Sequence, residues 1–320
     1  MIELQHVTKR YGNATAVHDV SFTVAQGETL VLLGTSGCGK TTTLRMTNRL
    51  TEPTRGRIIV NGKDVMRQLP NVLRRGIGYV LQHTGLFPHY TIAQNIAVVP
   101  QLMQWNKSTI AERTNTLLQK LDLDPAVILN KYPHQLSGGQ QQRIGLARAL
   151  AADPPVLLMD EPFGALDPIT RAAIRRQFKQ LDELNRKTIL MVTHDVQEAF
   201  ELGDKICIMN KGEIVQMGTP AELLFTPHDP FTTAFLQDNR FQLELQTVTV
   251  NQLVKWLPNE EDPSLKTSLS GNTSLWHALE LLALPNAPGY MLHSYGQYLS
   301  LTTPLVLTAF EHLKKQLAHG

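Results

Sequence analysis

Residues 29–41 read Thr-Leu-Val-Leu-Leu-Gly-Thr-Ser-Gly-Cys-Gly-Lys-Thr: an apolar run that breaks into glycines and then opens a helical pattern. This stretch requires a buried strand, a tight loop and a helix start in immediate succession. Gly34 to Thr41 fits G-x-x-x-x-G-K-[ST]. Gly34, Gly37 and Gly39, with Ser36 and Cys38 between them, let the backbone curl into a nest of N–H donors for phosphate oxygens. The helix N-terminus below adds partial positive charge. Lys40 is expected to reach the β- and γ-phosphates of a nucleotide, Thr41 to hold Mg²⁺ and Thr42 to lie near the α-phosphate. Cys38, inside this nest and close to Lys40, is expected to be a reactive thiolate.

The surrounding pattern gives the sheet. Residues 2–7 and 16–24 alternate apolar and polar, as half-buried strands do. Asn61-Gly62 is a hairpin signal, and 77–81 (IGYVL) reads as a strand. Residues 91–150 are mostly helical in pattern. Strand-like runs resume at 156–159 (VLLM) and 188–192 (TILMV), with a charged helix expected over 168–186 between them. Buried strands alternating with helices predict a parallel sheet covered on both faces, interrupted by a helical insert.

Asp160 and Glu161 close the VLLM strand, at the sheet edge where open parallel sheets bind ligands. Asp160 suits a Mg²⁺ shell and Glu161 suits activation of a water. His194 and Asp195 end the next strand, where a His is able to contact a γ-phosphate or simply cap the following helix. Gln82 closes the IGYVL strand within reach of metal or water.

A second anion site is spelled by Leu136-Ser137-Gly138-Gly139-Gln140 before a helical run. One chain already holds one phosphate cradle, so a second makes sense if it serves a nucleotide held by another subunit. With this motif the sequence resembles the ABC ATPase family over about residues 1–238. The order matches: Tyr11 after the first strand, the loop at 34–41, Gln82, LSGGQ at 136–140, the acidic strand end at 156–161, Ala165-Leu166-Asp167, and His194. The resemblance implies an α/β P-loop NTPase fold with a RecA-like parallel-sheet core, an antiparallel β subdomain and a helical subdomain at about 91–150. It also implies ATP and Mg²⁺ as cofactors, Tyr11 stacked on adenine, and Ser137, Gly139 and Gln140 facing the γ-phosphate across an ATP-sandwich homodimer. Asp167 would link the two sites, and residues near Gln82 would contact transmembrane permease subunits.

Three stretches, GYVLQHTGLFPHYTIAQNI, YPHQLSGGQQQR and MDEPFGALDPITR, look like ATPases of importers for glycine betaine, choline, carnitine and related quaternary amines, served by a substrate-binding protein. They also resemble amino-acid importer ATPases. An ABC ATPase acting on nucleic acid usually carries two cassettes or a long coiled coil; neither is visible, and a balance of 30 Lys+Arg against 28 Asp+Glu gives no basic field. A module that holds ATP without turning it over is disfavoured by Glu161 and His194. No run is long enough to span a membrane, no N-terminal apolar segment reads as a signal peptide, and two cysteines build no disulfide framework. A cytoplasmic chain held at the membrane by its permease is the expectation.

Near Asn239 the character changes, with a linker-like PNEEDPS at 258–264. Residues 239–320 are expected to form a small α+β accessory domain. Helix 274–284, strands 290–293 and 298–301 joined by Tyr295-Gly296-Gln297, and helix 305–317 are weakly similar to one cystathionine-β-synthase-type module. Val306 stands where that module would use an Asp to hold a ribose, so no adenine nucleotide is expected here. Leu275, Leu279, Leu282, Leu305 and Phe310 are expected to pack within the tail or against a partner's tail.

Overall fold

The computed structural model describes residues 1–82, 84–164, 166–257, 267–284, 290–294 and 297–319. The proposed linker at 258–264, Ala165 and the turn residues Tyr295 and Gly296 lie outside the described residues. The chain divides into two compact units, Met1–Val215 and Gln216–Gly320.

In the first unit, β1 (Ile2–Tyr11) and β2 (Ala14–Val24) form an antiparallel hairpin, followed by β3 (Thr29–Gly34) and α1 (Lys40–Thr47). Next come β4 (Arg55–Val60) and β5 (Lys63–Asp64), paired antiparallel through Asn61-Gly62, both at positive φ as a tight hairpin turn requires. Helix α2 (Pro70–Arg75) leads into β6 (Ile77–Val80). The helical insert is α3 (Ile92–Leu102), α4 (Lys107–Lys120), α5 (Pro125–Ile128) and α6 (Gly138–Leu150). Then follow β7 (Val156–Asp160), α7 (Pro168–Gln180), β8 (Thr188–Thr193), α8 (Val196–Leu202) and β9 (Lys205–Asn210). Strand β10 (Glu213–Gly218) turns back through Lys211-Gly212, again at positive φ.

Two sheets result: an antiparallel one in the order β2-β1-β4-β5, and a six-stranded one in the order β10-β9-β3-β8-β7-β6. In the larger sheet β3 pairs in parallel with β8 and β9, and β7 with β8 and β6. Strands β7 and β8 are buried at every residue, which is why they read as continuous apolar runs. The two sheets share one core, in which Ile2, Val24 and Ile58 meet Leu32, Leu158 and Val192.

The helix expected over 168–186 stops at Gln180. Tertiary contacts override its charge pattern. Leu181 and Leu184 turn into the core, and Glu183 is drawn to Arg113 of α4 by two hydrogen bonds of 3.0 and 2.9 Å, with Lys120 at 2.9 Å. The Arg113 guanidinium holds the Glu183 carboxyl down at about 2. This ion pair therefore persists until pH falls from the ordinary carboxylate range towards that value.

The second unit starts with α9 (Pro220–Phe225), α10 (Pro230–Leu236) and α11 (Arg240–Thr247). A 3₁₀ turn at Val250–Trp256 precedes β11 (Thr267–Leu269), α12 (Leu275–Leu282), β12 (Tyr290–Ser294), β13 (Gln297–Leu301) and α13 (Thr303–His319). Strand β11, absent from the sequence reading because it spans three residues, pairs in parallel with β12, which pairs antiparallel with β13. Leu275, Val306 and Phe310 are buried in this unit's own core, and Leu279, Leu282 and Leu305 pack partly buried against it. The change of sequence character near 239 falls inside this unit, because α9 contacts both α11 and α13.

Glu244 of α11 is 2% exposed. It is neutralised by Arg240 Nε and Lys314 Nζ, both at 2.9 Å. Removing one partner of a buried charge leaves it undercompensated. Lys314→Met is expected to destabilise this unit by about 1–3 kcal/mol, with part of the loss recovered in the Lys314→Met/Glu244→Gln double variant. Hydrogen exchange of the α13 amides measures both; unchanged protection in Lys314→Met would remove the pair from its anchoring role.

Candidate functional site

The parallel registers bring the ends of five strands to one edge. Leu33 lies opposite Thr193, Asp160 opposite Val192, Val80 opposite Met159 and Gly34 opposite Met209. The loop leaving β3 tolerates no side chain at two points. A Cβ on Gly34 would sit 2.2 Å from the Met209 carbonyl oxygen, and one on Gly39, at φ 103°, would sit 2.5 Å from that of Ala16. Gly37, at φ 78°, turns the loop between them. Lys40 begins α1, 5% exposed, and its ammonium donates to the Gly34 and Thr35 carbonyls, both at 2.8 Å. Thr42 and Ser36 lie on the same loop and helix start; Thr43 is turned inward and donates to the Gly39 carbonyl.

The Thr41 hydroxyl donates to Asp160 Oδ1 at 2.8 Å. Asp160 is 2% exposed. Its other oxygen accepts from the Tyr79 hydroxyl at 3.4 Å and lies 3.7 Å from Arg45. Burial and the Asp160 charge push the Tyr79 phenol up to about 12, so it remains a donor. Tyr79 and Arg45 were missed in the sequence because each is one polar residue inside an otherwise regular strand or helix. A hydroxyl next to a buried carboxylate is a hard-oxygen donor pair that fits Mg²⁺. Among the described residues no group of three or more His, Cys, Asp or Glu is placed to hold a metal. These two oxygens would therefore need oxygens from a nucleotide and water to complete a shell.

Glu161 follows Asp160 with φ 45°, a left-handed backbone rare outside glycine. Two backbone hydrogen bonds hold it there: its N–H donates to Val192 O at 2.9 Å, and its carbonyl accepts from Gly164 at 3.1 Å. The turn aims its carboxylate at two other residues. Gln82 Nε2 donates to Oε2 at 3.1 Å, and His194 Nδ1 lies 3.2 Å from the same oxygen. Gln82, Glu161 and His194, from three strand ends, thus meet in one chain. Gln82 is engaged with Glu161 rather than with the Thr41–Asp160 pair.

Around His194 the backbone is fixed on both sides. The Thr193 hydroxyl donates to the buried Glu198 at 2.6 Å and accepts from the Asp195 N–H at 3.0 Å. Burial pushes the Glu198 carboxyl up from its ordinary range. Asp195 caps α8. It also lies 3.5 Å from Arg171 of α7, whose other amino group donates to the Leu166 carbonyl at 2.9 Å. Asp167 caps α7, and hydrogen bonds from Thr170 hold its carboxyl below the usual range.

The second glycine motif starts α6. Ser137 and Gln140 form a reciprocal capping box, so within this chain the Gln140 side chain closes its own helix end at 3.0 Å. Gly138 has open space around it, whereas a Cβ on Gly139 would approach Thr170 of α7 at 2.9 Å. Further along, Gln142, buried, donates to the Pro162 carbonyl just after Glu161. Tyr11 is 53% exposed, with the Lys9 ammonium 4.8 Å from its ring centre.

The expectation for Cys38 is corrected. Its side chain is 3% exposed and belongs to the apolar core, together with Cys207. The Lys40 ammonium does lie 3.7 Å from its sulfur, but burial keeps the thiol from reagents. A thiol titration of the folded chain is expected to find no fast-reacting group, against two after unfolding. One rapidly modified thiol in the native protein would contradict this burial.

The comparisons with known proteins agree with this geometry. A family model described as ABC transporter matches residues 17–164. The glycine betaine/carnitine/choline transport ATP-binding protein OpuCA of Bacillus subtilis is 47% identical over 88% of this chain and 72% of its own length. The glycine betaine uptake system ATP-binding protein YehX of Escherichia coli is 46% identical over 82% of this chain and 84% of its own. Among solved structures, a dimeric bacterial ABC transporter cassette aligns with a TM-score of 0.62 at 34% identity, covering 68% of this chain and 98% of the cassette. With its phosphate-binding loop, acidic strand end and signature helix in this arrangement, the chain belongs to the ABC transporter family, as an ATP-binding and ATP-hydrolysing subunit.

Proposed function

We propose that this chain powers an importer of quaternary-amine osmoprotectants, glycine betaine, choline or carnitine among them. It does so as an ATP-sandwich homodimer on the cytoplasmic face of the membrane, bound to permease subunits that a substrate-binding protein supplies. The observation that carries the hydrolytic part is the meeting of Gln82 and His194 on one oxygen of Glu161. Two contacts fix the direction of that carboxylate, which suits a general base acting on a water. With Nδ1 turned to Glu161, His194 keeps Nε2 for a phosphate oxygen. Ser36, Gly37, Gly39 and Lys40 cradle the phosphates, with Thr41 and Asp160 as the Mg²⁺ ligands and Tyr11 as the adenine platform. Mg²⁺ would neutralise charge on the phosphates. Ser137 and Gly139 would face the nucleotide of the partner.

The solute assignment is supported by the names of the relatives above. The permease assignment is supported by a groove of about 320 Å³ lined by Tyr79, Leu81, Gly85, Phe87 and Val99, at the end of β6 and beside Gln82 in sequence. Phe87 and Tyr90 are exposed beside it. Among the described residues no helix is long and apolar enough to cross a membrane, so attachment would come from the partner.

Two measurements test this reading. Glu161→Gln is expected to bind ATP but lose roughly 10²–10⁴-fold in turnover, and to accumulate as an ATP-bound dimer in sedimentation. Hydrolysis near the parent rate would take Glu161 out of its role. Co-purification from membranes is expected to yield a multi-spanning permease, and vesicles containing that complex should take up labelled glycine betaine, choline or carnitine when loaded with ATP. Uptake of amino acids alone would replace the solute class and leave the ATPase assignment intact.

A further inference from the structure

Gln82 is exposed, so no packing determines where its amide lies. Its meeting with Glu161 depends on the backbone that carries it. The described residues that follow, 84–91, are anchored at both ends by side chains of the helical insert. On one side Arg148, near the end of α6, donates from Nη1 to the Gly85 carbonyl at 2.7 Å and from Nη2 to the Thr84 carbonyl at 2.8 Å. On the other, the fully buried Asn95 of α3 accepts from the Phe87 N–H at 2.8 Å and donates to the carbonyls of Phe87, Tyr90 and Thr91, each at 3.1 Å. Gly85, at φ 56°, makes the left-handed turn between Thr84 and Phe87.

The Arg148 contact is the one nearer the chemistry: its two acceptors follow Gln82 by two and three residues. A guanidinium presents parallel N–H groups in a rigid plane and so meets both carbonyls at once. An ammonium is a point charge and cannot span them in the same way. The same helix reaches the other side of the catalytic carboxylate, where Gln142 holds the Pro162 carbonyl next to Glu161. Helix α6 therefore touches the chain on both flanks of the Gln82–Glu161 contact.

We propose that Arg148 is a positioning residue for ATP hydrolysis: by clamping the Thr84 and Gly85 carbonyls to α6 it sets where Gln82 meets Glu161. This rests on the assignment of Gln82 to the hydrolytic group. Without the clamp the two carbonyls seek water, the loop shifts and the Gln82 amide leaves Glu161. Displacements of about 1 Å cost on the order of 10²-fold in well-oriented catalysis. The losses should therefore appear in kcat rather than in ATP binding, because Arg148 touches neither the phosphate loop nor Tyr11.

The test is a double-mutant cycle on the full chain, with steady-state ATPase kinetics as readout. Arg148→Lys and Gln82→Ala are each expected to lower kcat roughly tenfold or more, with KM for ATP within about twofold of the parent. The double variant should be no slower than Gln82→Ala, because both changes break one contact. Gly85→Ala, which strains the left-handed turn while leaving Arg148 intact, should give the same kcat loss and the same lack of additivity. It keeps the test open if Arg148→Lys folds poorly by thermal unfolding. Losses that multiply in the doubles would make Arg148 a structural residue and overturn the proposal. A parent-like Arg148→Lys beside a damaged Gln82→Ala overturns the clamp alone, whereas a parent-like Gln82→Ala overturns the reading of Gln82 on which it rests.

Discussion

Everything at this site hangs on the parallel pairing of β3 between β8 and β9, and of β7 between β8 and β6. Parallel ladders set their strands at a definite stagger. Here the stagger ends the strands at nearly one level: Leu33 against Thr193, Asp160 against Val192, Val80 against Met159. Lys40, Asp160, Glu161, Gln82 and His194 are then first-turn neighbours of a buried sheet, not residues of long mobile loops. A slip of one residue in any ladder would reverse the faces of that strand. Because both faces are buried, such a slip would drive polar ends into the core, so the core enforces the register of the strand ends.

Much of the site was legible because its chemistry is compressed into short motifs. Gly34 to Thr41 needs its glycines where the structure leaves 2.2 and 2.5 Å for a Cβ. VLLMDEP could be read because a fully buried strand must be apolar until it emerges, making Asp160 and Glu161 conspicuous. The hairpin at Asn61-Gly62 and the helical insert were visible from turn chemistry and period. What escaped reading was long-range. Arg148 looks in sequence like one more polar position on an amphipathic helix; its partners, Thr84 and Gly85, lie more than sixty residues upstream and contribute only carbonyls, which leave no trace in side-chain identity. Tyr79 and Arg45 converge on Asp160 from separate elements.

Two readings failed for instructive reasons. Cys38 lies in a loop motif, and position alone suggested a thiol among phosphate donors. The loop alternates direction, and the Cys38 side chain is turned into the core that β1, β3 and β9 share. The charged stretch after Asp167 favoured helix to residue 186, but Glu183 is held by Arg113 and Lys120 across the unit and the chain breaks at Leu181 to reach them. Local propensity lost to tertiary electrostatics in that segment.

The left-handed backbone of Glu161 has a wider consequence. A residue with a Cβ held there carries strain on the order of 1–3 kcal/mol. The hydrogen bonds to the Val192 carbonyl and from the Gly164 N–H keep it in place. A glycine would adopt that φ with less strain, yet it would carry no carboxylate. An unstrained backbone and a carboxylate are therefore opposed requirements at residue 161. The end of β7 holds a carboxylate on a backbone that glycine would adopt more easily, so the substitution that eases the chain there removes the acid it positions.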